Sequence, residues 1–165
     1  MPQTSETQTI CKATKNDISA IMHIAEECKL SFWSERDYLS ELENTNSLIK
    51  VTRENDIIVG FILARFNFIN FKEKTVAETF SEADLLNIGV LDSFREQGIG
   101  SRLLEALILE CKNSKTQKIW LEVRESNSNA RKFYKQNGFI ETQIRRGFYS
   151  NPTENAVLMF LDITK

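Results

Sequence analysis

Apolar positions recur along this chain with two different periods, and the places where the period changes mark its elements. Ile18, Ile21, Met22, Ala25 and Cys28 fall on one helical face, with Thr14 and Asp17 ahead of them as a start signal. Ser34 with Asp37 repeats the signal before Tyr38, Leu39 and Leu42. Ser47 to Arg53 and Asp56 to Phe68 are instead rich in β-branched and aromatic residues, and Glu54-Asn55 between them suits a hairpin turn. Leu85 to Leu91 reads as another strand, and Leu103, Leu104, Leu107, Ile108 and Cys111 as the buried face of the helix after it. Lys118 to Val123 is a strand, and Asn127 or Ser128 caps a short helix that Asn137-Gly138 stops in a left-handed turn after Lys135. Ile10 to Ala13, Phe139 to Arg146 and Ala156 to Ile163 supply the remaining strands. The predicted order is β-α-α-β-β-β-α-β-α-β-β, with no internal repeat.

That order predicts an α/β fold: a single mixed, twisted sheet of about six to seven strands flanked by roughly four helices. At 165 residues the chain suits one domain, from Ile10 to Lys165, behind a flexible tail from Met1 to Thr9. Asn70 to Asp84 breaks the strand pattern and reads as a connection. Its Glu73, Glu78, Glu82 and Asp84 make it acidic, either as a solvated loop or as an attraction for a basic peptide or polyamine.

Composition narrows the partners. The net charge of −2 supplies no counterion-releasing surface, which argues against direct nucleic-acid binding and favours a cationic substrate. Ile57 to Ala64, the longest strongly apolar run, is too short to span a bilayer, and Met1 to Thr9 lacks a secretory segment. We therefore expect a cytoplasmic protein without membrane contact. Cys11, Cys28 and Cys111 are widely separated and read as buried thiols, and His23 has no partner at ligand spacing, so no metal is expected.

The densest chemical signal lies in Asn87-Ile88-Gly89-Val90-Leu91-Asp92-Ser93-Phe94-Arg95-Glu96-Gln97-Gly98-Ile99-Gly100, where a strand passes through a glycine loop into a helix. Small residues let the backbone approach an anion, and the helix start near Ile99 offers unpaired N–H groups at the positive end of its dipole. A phosphate-bearing ligand is implied, against the plainer reading of an ordinary strand-to-helix turn. A P-loop would need Lys-Ser/Thr where Ser101-Arg102 stands, and a dinucleotide fingerprint would need a small residue in place of Leu103.

Arg95-x-x-Gly98-x-Gly100 resembles the acetyl-CoA pyrophosphate loop of the GCN5-related N-acetyltransferases (GNAT). The segment from Trp120 to Phe139, with Leu121-Glu122-Val123-Arg124, Asn127, Ala130, Tyr134 and Gly138-Phe139, is similar to a block of the RimI-type ribosomal-protein alanine N-acetyltransferases within that superfamily. Phe32-Trp33-Ser34-Glu35, Ile144-Arg145-Arg146 and Glu154-Asn155-Ala156 with Met159 extend the likeness over nearly all of the chain from Ile10.

The resemblance implies a GNAT fold and direct acetyl transfer from acetyl-CoA to an amine, with coenzyme A as product and neither a metal nor a covalent enzyme intermediate. By it, the backbone of Ile88, Gly89 and Val90 holds the pantetheine arm. Arg95, Glu96, Gln97, Gly98, Ile99, Gly100 and Ser101 cradle the pyrophosphate, and Asn127 holds the cofactor's other side. Glu122 matches the general base and Tyr134 the general acid. Trp33, Tyr149 and Glu154 fall where the acceptor binds. The implied partner is a protein or peptide N-terminus, such as the alanine of a ribosomal protein. The alternatives are a small amine or lysine side chain as acceptor, or a non-catalytic acyl-CoA-binding module. Either a monomer or a homodimer fits.

Elementary chemistry supports the same pair of residues. A free α-amino group, with pKa about 7.7–8.0, is mostly protonated at neutral pH and needs a base before it can attack a thioester. Glu122 stands among Trp120, Leu121 and Val123, where partial desolvation would make it more basic. Tyr134 suits protonation of a departing thiolate. The plainer alternatives are a surface carboxylate and a half-buried core aromatic. The chain departs from the family in having Phe148-Tyr149 for two adjacent tyrosines and Glu154-Asn155 for Glu-Asp.

Overall fold

The computed structural model describes residues 8–70 and 79–164. Its elements are β1 (Thr9–Lys12), α1 (Ile18–Glu27), α2 (Glu35–Glu43), β2 (Ser47–Glu54), β3 (Ile57–Asn70), β4 (Thr79–Val90), α3 (Ile99–Asn113), β5 (Thr116–Arg124), α4 (Ser128–Gln136), β6 (Ile140–Tyr149) and β7 (Glu154–Asp162), with 3-10 turns at Lys15–Asp17 and Asp92–Phe94. The strands form one seven-stranded sheet in the order β1-β2-β3-β4-β5-β7-β6. β4 and β5 run parallel, whereas β1–β2, β2–β3, β5–β7 and β6–β7 are antiparallel, so the sheet is mixed, as predicted. The chain divides into two compact units, one comprising the residues up to Arg65 with Asn87–Leu109, the other Phe66–Leu86 with the residues from Glu110 onward.

In the first unit both helix starts are capped as expected. The backbone N–H and hydroxyl of Thr14 donate to Asp17 at 2.7 and 3.0 Å, and Ser34 makes the equivalent pair of bonds to Asp37, both at 2.7 Å. Burial pushes the Asp17 carboxyl up, but Thr14 and the Arg53 guanidinium, 2.7 Å away, outweigh it and hold the carboxyl below its usual range. Ile18, Ile21, Ile24 and Phe61 are buried on one face of the sheet, where a Cβ on Gly89 would meet Ile24 and Phe61, and Ile99, Leu103 and Leu107 of α3 are buried on the other, where a Cβ on Gly60 would meet Ile99 and Leu103. The β2–β3 turn centres on Asn55-Asp56, one residue later than predicted. Both have positive φ, and Glu54 pairs with Ile57. The cause is the primed hairpin turn, which wants two residues tolerant of the left-handed region.

In the second unit β4 begins at Thr79, which corrects the predicted Asn70 to Asp84 connection. Glu82 and Asp84 are strand residues facing Lys118 and Trp120 of β5. Ser81, Ala83 and Leu85 are buried while Glu82 and Asp84 are half-buried, a period-2 pattern hidden by the small polar residue on its inner face. There the Ser81 and Thr116 hydroxyls lie 3.0 Å apart. Glu73 and Glu78 fall outside the described residues. Ile119, Leu121, Val123, Val157, Met159 and Phe139 make this unit's core. Of the three thiols only Cys111 is buried, its pKa pushed up to about 12 by burial; Cys11 and Cys28 are half-buried, contrary to expectation.

Candidate active site

The glycine loop lies wholly in the first unit. The first ladder bond of α3 runs from the Arg102 N–H to the Gly98 carbonyl at 3.0 Å, so the N–H groups of Ile99, Gly100 and Ser101 precede the ladder. Glu96 and Gly98 both take left-handed φ, at 62° and 76°, which curls the loop ahead of the helix. A Cβ on Gly98 would come no closer than 3.6 Å to the Arg102 guanidinium, so the loop surface there is open. Buried Ile99 anchors the loop while Glu96, Gln97 and Gly98 stay exposed. A cradle of main-chain donors at a helix start fits a pyrophosphate.

The side chain of Arg95 has other work. It donates to the Val90 carbonyl at 3.2 Å and to the Cys28 sulfur at 3.3 Å, and pairs with Asp92 at 2.7 Å. Cys28 also donates to the Val90 carbonyl, at 3.4 Å. Arg95 thus ties the end of β4 to the turn after it. Gly89 is required by packing: a Cβ would stand 3.0 Å from Ile24 and 3.1 Å from Phe61. Ile88 to Val90 lie beyond the end of the parallel ladder, which runs from Ser81 with Thr116 to Asp84 with Trp120.

Arg102 is a residue that sequence reasoning passed over. Its guanidinium donates to the Gln97 carbonyl at 3.2 Å and also contacts Gln8, bracing the loop. Its position one turn into the helix was the available signal. Also in this unit, Trp33 packs on Tyr38 with ring centroids 5.5 Å apart, and the buried Tyr38 hydroxyl and Asn87 amide nitrogen have no partner among the described residues.

The second unit brings together Glu122, Asn127, Tyr134, Tyr149 and Glu154. Glu122 alternates on β5 with buried Leu121 and Val123, so its own side chain is about one-third exposed at 31%. Instead of the apolar setting expected from its neighbours, its Oε1 accepts from Arg145 Nη1 at 2.6 Å. Tyr134 is buried on α4, and burial followed by the neighbouring Tyr149 raises its pKa well above the usual phenol value. Burial and the nearby Glu122 carboxylate raise Tyr149 as well.

Asn127 is the N-cap of α4, its Oδ1 accepting the Ala130 N–H at 3.1 Å. Both Glu154 oxygens are engaged, one by the Ser126 N–H at 2.7 Å and the other by Arg124 at 3.1 Å. Ser126 and then Arg124 hold that carboxyl below the usual range. Arg124 also lies 4.3 Å from the centre of the Tyr149 ring. The motifs that contain Arg124 and Arg145 give these residues no role; the fold shows that they organise the carboxylates and aromatics around them.

Comparison with known proteins places the chain in a family. The family model described as acetyltransferase (GNAT) family matches residues 18–139. The [ribosomal protein bS18]-alanine N-acetyltransferase of Escherichia coli is 31% identical over 158 residues, covering 94% of this chain and 98% of that protein. Its Haemophilus influenzae counterpart is 41% identical over 109 residues, 64% of this chain and 66% of that protein. The crystal structure of the Escherichia coli enzyme superposes with a TM-score of 0.78, covering 95% of this chain and 94% of that one at 31% identity. That of Ard1 from Thermoplasma volcanium gives 0.77 at 27% identity, covering 94% and 97%. The chain belongs to the GNAT acetyltransferase family.

Proposed function

We propose that this protein is a cytoplasmic acetyl-CoA-dependent N-acetyltransferase, one domain from Ile10 onward, that modifies a protein N-terminal α-amino group, with the alanine of ribosomal protein bS18 as the leading acceptor. The observation that carries this reading is the match to the Escherichia coli bS18-alanine enzyme along 94% of the chain.

Acetyl-CoA supplies an activated thioester whose sulfur leaves when an amine attacks its carbonyl. In our reading the main-chain N–H groups from Gln97 to Ser101 hold the pyrophosphate, while Arg95 and Arg102 fix the shape of that loop. The main chain of Ile88 to Val90, past the end of the β4–β5 ladder, supports the pantetheine arm. Glu122 has Oε1 taken by Arg145, so Oε2 is left to take the proton that the acceptor ammonium must lose before its nitrogen can attack; the second proton that the nitrogen sheds once the C–N bond has formed goes to solvent. Tyr134, kept protonated by burial, gives its hydroxyl proton to sulfur as the C–S bond breaks. Trp33 and Tyr149 are assigned to the acceptor.

Mass spectrometry of acetyl transfer to three competing acceptors tests the proposal: a peptide with a free N-terminal alanine, its N-blocked lysine-containing counterpart, and spermidine. Labelling of the free terminus is expected. Labelling of lysine or spermidine alone would discard the acceptor and keep the chemistry, whereas acetyl-CoA binding without any transfer would favour a regulatory acyl-CoA-binding module.

A further inference from the structure

We propose that Arg145 is a positioning residue for Glu122, and that a bulge in β6 closed by Gly147 and Asn155 is the device that holds it there. The inference rests on the reading of Glu122 as the base.

The ladder between β6 and β7 pairs Ile144 with Val157 and Arg145 with Ala156, then shifts register and resumes at Tyr149 with Glu154. Four steps along β6 thus oppose two along β7. In an unbroken strand Arg145 and Phe148, three positions apart, would point to opposite faces. The bulge brings them together: the guanidinium carbon of Arg145 lies 4.5 Å from the centre of the Phe148 ring. Gly147 permits this with φ of 60°. Its N–H donates to Asn155 Oδ1 at 3.0 Å, and Asn155 Nδ2 donates to Glu125 Oε2 at 2.9 Å. That side chain must accept and donate at once, which an aspartate cannot do beside Glu125.

Phe148 is itself buttressed, meeting Tyr149 edge-on with centroids 5.0 Å apart. From this stack Arg145 reaches Glu122 Oε1 at 2.6 Å. A glutamate with a third of its side chain exposed would otherwise sample several rotamers. Fixing one oxygen fixes the direction of the other, and a base misdirected by an ångström loses much of its rate advantage. The departure from the family pattern at Asn155 thereby acquires an explanation, an amide that closes the bulge; Phe148 supplies a ring face for the guanidinium that a tyrosine would also supply.

The test is steady-state kinetics of the full chain with acetyl-CoA and a peptide bearing a free N-terminal alanine. Arg145→Gln should lower kcat roughly tenfold, part of the 10²–10⁴ attributable to a placed acid or base, with acceptor KM within about twofold. Asn155→Asp should lower kcat in the same direction by less. Arg146→Gln removes the same charge from an exposed neighbour and should match the wild type. In a Glu122→Gln background, Arg145→Gln should cause no further loss, because it acts through the missing carboxylate. An equal fall in that background, a rise in KM with kcat unchanged, or the same loss from Arg146→Gln would each overturn the assignment. Slow Glu122→Gln with fast Arg145→Gln removes Arg145 alone, whereas wild-type speed in Glu122→Gln removes the base as well.

Discussion

Phe139 donates its backbone N–H to the carbonyl of Tyr134 at 3.0 Å, and the two rings pack with centroids 5.5 Å apart. With the Gly138 N–H bonded to the Lys135 carbonyl at 3.1 Å, this is the paired closure of a helix C-terminus in the left-handed manner, completed by its usual apolar contact. The same cap that ends α4 therefore sets where the Tyr134 ring stands. Phe139 is only 3% exposed. Phe139→Leu should cost about 1–1.5 kcal/mol of stability and lower kcat several-fold while leaving acetyl-CoA affinity intact. Urea unfolding alongside binding and turnover checks this; an unchanged kcat in a destabilised variant would separate the cap from the chemistry.

Glu122→Gln keeps the shape of the side chain and removes its capacity to take a proton, and Tyr134→Phe removes only a hydroxyl. Each should slow kcat, Glu122→Gln by at least about 10²-fold and Tyr134→Phe by at least roughly tenfold, with the acetyl-CoA Kd nearly unchanged because neither residue is assigned to the cofactor. Wild-type turnover in both variants would remove the proposed acid–base pair.

Much of this architecture was legible because local chemistry and the fold agree. The capping pairs Thr14 with Asp17 and Ser34 with Asp37, and the cap of α4, stand where the sequence puts them. The start of β4 was not legible. Its inward face begins with Ser81 and Ala83, which carry little hydrophobic signal, while Glu82 and Asp84 read as loop residues. Candidate site residues could be identified, but their partners could not. Nothing in spacing brings Arg145 to Glu122 across 23 positions, because that contact reaches over β7 and depends on the pairing of both β5 and β6 with it, and on a bulge two residues past the arginine.

Gly98 tests the phosphate loop. A side chain there would be held in the left-handed region at a cost of about 1–2 kcal/mol, and would project into the space the loop leaves open. Gly98→Ala should therefore weaken coenzyme A binding by about tenfold, measured by isothermal titration calorimetry, with little effect on the rate at saturating acetyl-CoA. Unaltered affinity would separate this loop from the pyrophosphate.

Two buried phenols predict how the fold responds to alkali. Burial, with a smaller contribution from Asp37, pushes Tyr38 up to about 12, and its hydroxyl has no partner among the described residues. Burial and then Tyr149 raise Tyr134 still further. In the unfolded chain both titrate near 10, so above about pH 10 the unfolded state releases protons that the folded state keeps. Stability from these groups is constant below that pH and falls as the pH rises toward their folded values, with a slope approaching about 1.4 kcal/mol per pH unit for each. Tyr38→Phe removes one such proton and one buried unpaired hydroxyl. It should leave stability at pH 7 equal or higher by about 1 kcal/mol, and make the loss between about pH 10 and 11 shallower. Urea midpoints at the three pH values decide the matter: a variant that declines as steeply as the wild type would mean that Tyr38 is not held neutral by the fold.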